Sequence, residues 1–354
     1  MHDAQFLGVR LQVWDKFFEV FRGKSFLATI ICALARRART TSLMISFEDR
    51  KLFDVPQLSV DEPSAQSIHS SGARPMSSSG ILGGCSEPGI ALTHDTPELA
   101  STYDKTSVHQ FEHGKQLISA LNIASGERVL DIGTGTGRLA AYVATIVGSS
   151  GRVVGMDPLP LRVEIAQSKG AGNFEVRLGR AEDLSQFADA SFDVVYLNSV
   201  FHWVEDKPRA LAEIYRVLKP DGRLGLNCQD TDNRHEIFYF VQWAVTEAGV
   251  EVDSGLGHLG LSGHQLEALV TGAGFVAYEA ELRTFVSFYP DVDALLASLR
   301  SGSFGNFLAG ASEVDYARLR DTLGQLLEPK RLDGESIRLE RYLIFATARK
   351  PKAV

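Results

Sequence analysis

The chain has 354 residues, a formal net charge of −8, 44% hydrophobic and 23% charged residues, the balance of a soluble globular protein with one or two domains. That charge, with no basic stripe carrying interleaved aromatics, argues against a nucleic-acid partner. The three cysteines, Cys32, Cys85 and Cys228, are odd in number and far apart, which argues against a disulfide framework or a CxxC knuckle, so no metal is expected.

Residues 1 to about 56 are of mixed character. They hold an apolar run, FLATIICALA, flanked by Arg22, Lys24, Arg36, Arg37 and Arg39. At about ten residues the run is too short for a bilayer, which needs ~20, so no stable membrane insertion is expected. It reads as a basic amphipathic helix, as a targeting segment that would send the protein to an organelle, or as an extension ahead of the true start, for which Met44 and Met76 are alternatives. Asp3, Asp15 and Glu19 are wrong for a secretory leader. From residue 57 to about 95 the chain is rich in Ser, Pro and Gly and reads as a disordered linker. The expected division is therefore 1–95, a poorly ordered extension, and 96–350, the folded domain.

Within that domain Ser101–Leu121 reads as one helix, with Phe111, Leu117, Ile118 and Leu121 at helical spacing. Arg128–Ile132 reads as a strand, Arg138–Ile146 as a helix, Arg152–Asp157 as a strand and Pro160–Ser168 as a helix. Strands follow at Phe174–Leu178, Asp193–Asn198 and Gly222–Cys228. Between the last two, Lys207–Leu218 is amphipathic and Lys219-Pro220-Asp221-Gly222 is a turn. Asp193 is read as structural, holding the start of its strand. Ser262–Thr271 is a helix capped by Ser262 and ended by Gly272 and Gly274. Val276–Phe285 and Arg338–Ala348 form a hairpin-like terminal pair, split by an insertion at about 290–334 with two helical patterns and no strand. The alternation predicts an α/β fold: a doubly wound, mostly parallel seven-stranded sheet with a helical cap to which the insertion contributes.

The most informative stretch is Val129–Ala140, VLDIGTGTGRLA, an apolar strand entering a loop with Gly133, Gly135 and Gly137. Asp157 ends the next strand, RVVGMD, where its two oxygens can meet a pair of ribose hydroxyls. A dinucleotide loop wants G-x-G-x-x-G, but here the third glycine comes one residue early and the required position is Arg138. Asp131, two residues before Gly133, suits a cationic amino group better than a pyrophosphate.

This combination resembles motif I of the class I S-adenosylmethionine-dependent methyltransferases. The resemblance, to the UbiE-like and trans-aconitate methyltransferase-like small-molecule group, covers about Tyr103 to Asn227 well. It continues more loosely to Lys350. It implies S-adenosyl-L-methionine as cofactor. Asp131, Gly133, Thr134, Gly135 and Gly137 would hold the methionine part, and Asp157, followed by Pro158, the ribose. Ala181 and Glu182 would flank the adenine, and Asn198 would end strand four beside the ligand. The group usually carries an acid where this chain has Arg180, so the adenine contact is expected from backbone groups and Ala181.

For the chemistry, His202 in the segment Phe201-His202-Trp203-Val204 and Tyr103 on the approach helix are the catalytic candidates. Trp203 would wall the acceptor pocket. His109 and His113, i and i+4 on the approach helix, read as a solvated face, and His235-Glu236 as surface. Aromatics from Phe238 to Trp243 and from Phe285 to Phe307 either line an apolar acceptor pocket or simply pack the cap. The expected activity is methyl transfer to O, C or N of a small metabolite by a cytoplasmic monomer or homodimer. The alternative is an inactive S-adenosylmethionine-binding protein with a regulatory role. An NAD-dependent oxidoreductase is disfavoured by Arg138, although Tyr215 and Lys219 have the spacing of one dehydrogenase pair.

Overall fold

Residues 91–170, 172–251, 260–332 and 334–353 are described by a computed structural model. The apolar basic run and the Ser/Pro/Gly-rich segment lie outside the described residues. Ala91–Asp95, expected to close the linker, are instead folded in. Leu92–His94 form a 3₁₀ turn, and the Ala91 N–H donates to Asn306 Oδ1 at 3.0 Å.

The parallel half of the sheet follows from buried apolar runs alternating with amphipathic helices. Helices α1 (Pro97–Thr106) and α2 (Val108–Leu121) lead into β1 (Arg128–Ile132), α3 (Arg138–Val147), β2 (Arg152–Asp157), α4 (Pro160–Ser168) and β3 (Phe174–Leu178). Then come β4 (Phe192–Asn198), a 3₁₀ turn at Phe201–Trp203, α5 (Lys207–Val217) and β5 (Leu218–Gln229). Four of the five residues of β1 are buried, as a parallel strand covered on both faces requires. Helix α5 buries Ala210, Leu211, Ile214 and Val217 on one stripe, and Asp206 caps it by accepting from the Arg209 N–H at 3.0 Å.

The C-terminal part adds α6 (Glu236–Glu247), α7 (Gly263–Gly272), β6 (Val276–Tyr289), α8 (Val292–Gly302), α9 (Glu313–Leu327), β7 (Arg331–Leu332) and β8 (Ser336–Arg349). The sheet order is β3-β2-β1-β4-β5-β8-β6, with β8 antiparallel to both neighbours. The seven expected strands are present. Contrary to expectation, the insertion also supplies a strand, the two-residue β7, which pairs with β8 through Arg331↔Ile337 and Leu332↔Ser336.

Three apolar clusters organise the fold. Leu130, Ile132, Val195 and Leu197 lie in the cluster that takes up α5 and α7. Val129, Val153 and Val194 face the other way, toward α2 and α3, the alternation of side chains across a sheet. A third cluster joins α6, α8 and α9 to the start of β8 through Val241, Leu296, Leu323 and Leu339. This is the cap, raised on one end of the sheet.

Two local expectations need correction. The single helix over Ser101–Leu121 is broken at Ser107, whose backbone leaves helical geometry at φ −74°, ψ 29°. The polar run before it has low helix propensity, and the Thr106 hydroxyl back-bonds to the Thr102 carbonyl at 2.9 Å, a contact that bends helices. Strand β5 starts at Leu218 rather than Gly222, with the Pro-Asp-Gly turn absorbed as an irregularity. Asp221 takes φ +64° there, and its N–H donates to the Lys350 carbonyl at 3.1 Å. Asp193 is structural as read: it accepts from the Arg128 N–H at 2.9 Å and pairs with Lys219 at 2.7 Å.

Candidate active site

At the carboxyl ends of β1 and β2 the glycine loop is stitched to the neighbouring strand. The N–H groups of Gly133 and Thr134 both donate to the Met156 carbonyl, at 2.7 and 2.9 Å. Gly135 N–H donates to Asp157 Oδ2 at 2.8 Å, and Leu159 N–H to Asp157 Oδ1 at 3.0 Å. The acid that ends β2 thus fixes the loop that follows β1. Gly133 has φ +73°, and a Cβ there would stand 2.2 Å from the Val200 side chain, so both conformation and space demand glycine.

Beside the loop opens a cleft that encloses about 820 Å³ of space continuous with solvent. Gly133, Gly135, Asp157, Pro158, Ala181, Glu182, Asn198 and Tyr103 all line it, as does the Arg180 turn. A side cleft of about 360 Å³ is lined by Asp131 and Thr134, with Gly133, Asn198 and Tyr103 shared between the two. Gly137 lines neither. It caps α3, and a Cβ on it would meet Ala166 of α4 at 2.9 Å, so its smallness serves helix packing. Arg180 pairs at the surface with Glu205 at 3.0 Å and Glu182 at 3.6 Å; the turn it opens carries two acids, Glu182 and Asp183, and Glu182 accepts from the Glu205 N–H at 3.0 Å.

The electrostatics favour a cation near the loop. Asp131 is 2% exposed and accepts from the Thr134 hydroxyl at 2.8 Å; burial pushes its carboxyl up to about 7, and the nearby Asp157 adds to the rise. Asp157 is also raised, by burial first, against the opposing pull of Arg162. Two buried acids and a glycine cradle opening onto the cleft fit a ligand that brings a cationic amino group and a ribose.

Sequence reasoning missed the floor and the latch of this site. Ser199 follows β4 in the left-handed region at φ +59° and is held by its N–H to Asn227 Oδ1 at 2.6 Å. A non-glycine residue there is strained, and it lies on the cleft wall. Arg162 of α4 is buried against Asp95 at 3.2 Å, donates to the Ser301 carbonyl at 2.7 Å and stacks 4.2 Å from the Tyr103 ring. A polar residue at the start of the domain and an arginine two residues into a helix give no such signal in sequence. Trp203, expected at the acceptor pocket, lines the large cleft and packs edge-on to Phe304 at 4.8 Å.

His202 is 4% exposed and lines a different, second cleft of about 750 Å³. Burial, then the nearby Lys207, hold its imidazole down at about 3, and its Nδ1 has no hydrogen-bond partner. His113, expected to be solvated, is 4% exposed with its ring 3.9 Å from that of Phe285, because α2 lies on the β6–β8 face. His235, expected at the surface, is buried at the start of α6, and its Nδ1 accepts from the Tyr342 N–H at 3.0 Å.

Sheet order, glycine cradle and strand-end acid resemble those of the class I S-adenosylmethionine-dependent methyltransferases. Sequence comparison agrees: residues 130–226 match the family described as a methyltransferase domain. An arsenite methyltransferase of Aquipseudomonas alcaligenes is 34% identical over 39% of this chain and 42% of its own length. A demethylmenaquinone methyltransferase of Lactobacillus johnsonii is 36% identical over 32% and 48%, respectively. The ubiquinone/menaquinone biosynthesis C-methyltransferase UbiE of Francisella philomiragia is 39% identical over 31% and 46%. The chain spans about half the length of these curated relatives. Among the described residues no helix is long and apolar enough to cross a membrane.

Proposed function

We propose that the protein transfers a methyl group from S-adenosylmethionine to an O, C or N atom of a small metabolite. The observation that carries this reading is the cradle closed by Asp157 on Gly135, opening onto the 820 Å³ cleft. When bound, the cofactor supplies an electrophilic methyl on a sulfonium. In this reading Asp131, Gly133, Thr134 and Gly135 hold the methionine part, with Asn198 beside them, while Gly137 serves packing. Asp157 and Pro158 hold the ribose, and Ala181 and Glu182 flank the adenine.

Tyr103 and His202 act on the acceptor side. Tyr103 borders all three clefts, so it can orient whatever lies between cofactor and acceptor. Its hydroxyl stays protonated, since burial raises it above the usual phenol value. An imidazole as hard to protonate as His202 is a weak base, because efficient bases titrate near the working pH. Its use is orientation, through the unpartnered Nδ1. Rate then comes from alignment of acceptor and methyl, which can supply up to ~7–11 kcal/mol for well-held reactants.

A soft acceptor such as arsenite, the substrate in one relative's name, wants thiolates. The single cysteine among the described residues, Cys228, is buried, with its thiol pushed up to about 12. Cys228 is therefore not placed to hold such an acceptor. A cytoplasmic location belongs to the same reading, supported by three widely spaced cysteines that suit a reducing interior.

The test is turnover. The protein incubated with methyl-labelled S-adenosylmethionine and a metabolite extract should yield S-adenosylhomocysteine and an equal amount of one labelled small product by mass spectrometry. S-adenosylhomocysteine no higher than in a protein-free control overturns the reading.

A further inference from the structure

The second cleft meets the cofactor cleft at Tyr103, Ser199, Trp203 and Gly302. Its lining contains a single charged side chain, Arg341, and no acid. Arg341 sits on β8 opposite Phe285 of β6, and strand alternation puts it on the same face as Leu343, which also lines the cleft. Its guanidinium donates to the Tyr289 hydroxyl. Among the described residues no carboxylate pairs with it. A guanidinium carries five N–H donors in a planar fork, so most of its hydrogen-bonding capacity is unspent.

The groups around it do not supply the missing charge. His113 on α2 and His235 at the head of α6 are uncharged, held so by burial first and then by the charge of Arg341 itself. Because His235 Nδ1 accepts from the Tyr342 N–H, its proton is on Nε2, a second donor on the cleft wall. His202 Nδ1 is buried without a partner on the same wall. Beside these polar groups Ile237, Phe238, Leu299 and Trp203 also line the cleft and offer an apolar seat, the Phe238 ring 5.2 Å from that of His235 and the Trp203 ring 5.2 Å from that of His202. A cationic acceptor would be repelled here, and a neutral one would leave the guanidinium unpaired.

We propose that this second cleft is the acceptor site for a small organic anion, whose carboxylate or phosphate is held by Arg341 and whose apolar body lies against Phe238 and Trp203. The proposal rests on the methyltransferase reading and gives it a substrate class. Arg341 is then a specificity-determining residue: it selects acceptors by charge and sets how far the anion reaches toward the junction with the cofactor cleft.

The experiment is calorimetric, on the full chain. S-adenosylhomocysteine is titrated first; its failure to bind refutes the methyltransferase reading itself, independently of Arg341. The saturated protein is then titrated with benzoate, phenyl phosphate and benzamide, three probes sharing a ring and differing in charge. At least one of the two anions should bind about tenfold more tightly than benzamide, and which one separates carboxylate from phosphate. Arg341→Gln should abolish that preference while S-adenosylhomocysteine affinity stays within about twofold, and Arg341→Lys should restore part of it. Tyr289→Phe, which removes the hydroxyl contact and keeps the charge, should retain it. Equal binding of benzamide, no binding of either anion, an unchanged preference in Arg341→Gln or a lost one in Tyr289→Phe each overturns the proposal.

Discussion

At the scale of single residues, Asp157 holds the glycine loop and has capacity left for the ribose proposed for it. Each of its oxygens already accepts one backbone N–H, from Gly135 at 2.8 Å and Leu159 at 3.0 Å. A carboxylate has about four lone-pair sites, so two remain for a pair of ribose hydroxyls. Asp157→Ala should weaken S-adenosylhomocysteine binding by ~1–3 kcal/mol in a calorimetric titration. An unchanged affinity, in a variant that still melts cooperatively, would remove Asp157 from the ribose site. Asp131 carries a second prediction, on pH. With its carboxyl raised to about 7 it is largely protonated below neutrality, whereas a bound cationic amino group favours the ionised form. Binding then releases a proton, and affinity should rise by up to about tenfold per pH unit from about 5.5 to 7, levelling off above. A flat profile across that window sinks the assignment. Asp131 and Asp157 were legible because their spacing from the glycines is local. Arg341 and His235 were not, since nothing near them in sequence says which cleft a far strand and a helix start will border.

At the scale of elements, strands β1 to β4 could be read almost to the residue, whereas β5 starts four residues before its expected start. Buried strands there are unbroken apolar runs such as RVVGMD, and the helices between them carry one apolar stripe, as in α5. The approach segment failed for the opposite reason: its polar run hides a break at Ser107, and the face that His109 and His113 present is decided by β6 and β8, far away in sequence. That segment is also latched. Asp95 ahead of α1 pairs with Arg162 of α4, Arg138 donates to the Asp104 carbonyl, and Lys169 pairs with Asp104. The side chains of the Asp95–Arg162 pair are 4% and 5% exposed, so removing the acid strands a buried cation, which costs ~3–5 kcal/mol. Asp95→Ala should lower the melting temperature by several degrees. It should also speed amide exchange across Pro97–Thr106 and weaken cofactor binding through loss of the Tyr103 stack. Exchange in that helix matching the wild type would show that the ion pair does not hold α1.

At the scale of the whole molecule, the base and the cap are built differently, and this shapes how the protein responds to acid. The base stacks two apolar clusters on a sheet, whereas the join between α2, β6, β8 and the cap is padded with imidazoles. His109, His113 and His202 are held down at about 4, 3 and 3, by burial in each case, and His235 lies well below its usual value for the same cause. The sign follows from where the protons go. These groups resist protonation in the folded chain and accept it near the ordinary value of about 6.5 in the unfolded one. As the pH falls below about 6.5 the unfolded state therefore takes up protons first, and stability drains until the folded values are reached. Asp131 and Asp157 act the other way, because their raised carboxyls favour the fold at low pH, and Asp131 loses that advantage as the pH climbs through about 7. Four imidazoles outweigh two acids. At about pH 4.5 each fully buried ring should withdraw on the order of 2 kcal/mol, so the protein should lose stability steeply between about pH 6 and 4.5. His113→Phe, which fills the space beside Phe285 with a ring that does not titrate, should shift the acid midpoint of a circular-dichroism titration downward. A midpoint unmoved by that change would mean that the acid sensitivity arises outside the seam between α2 and the β6–β8 face.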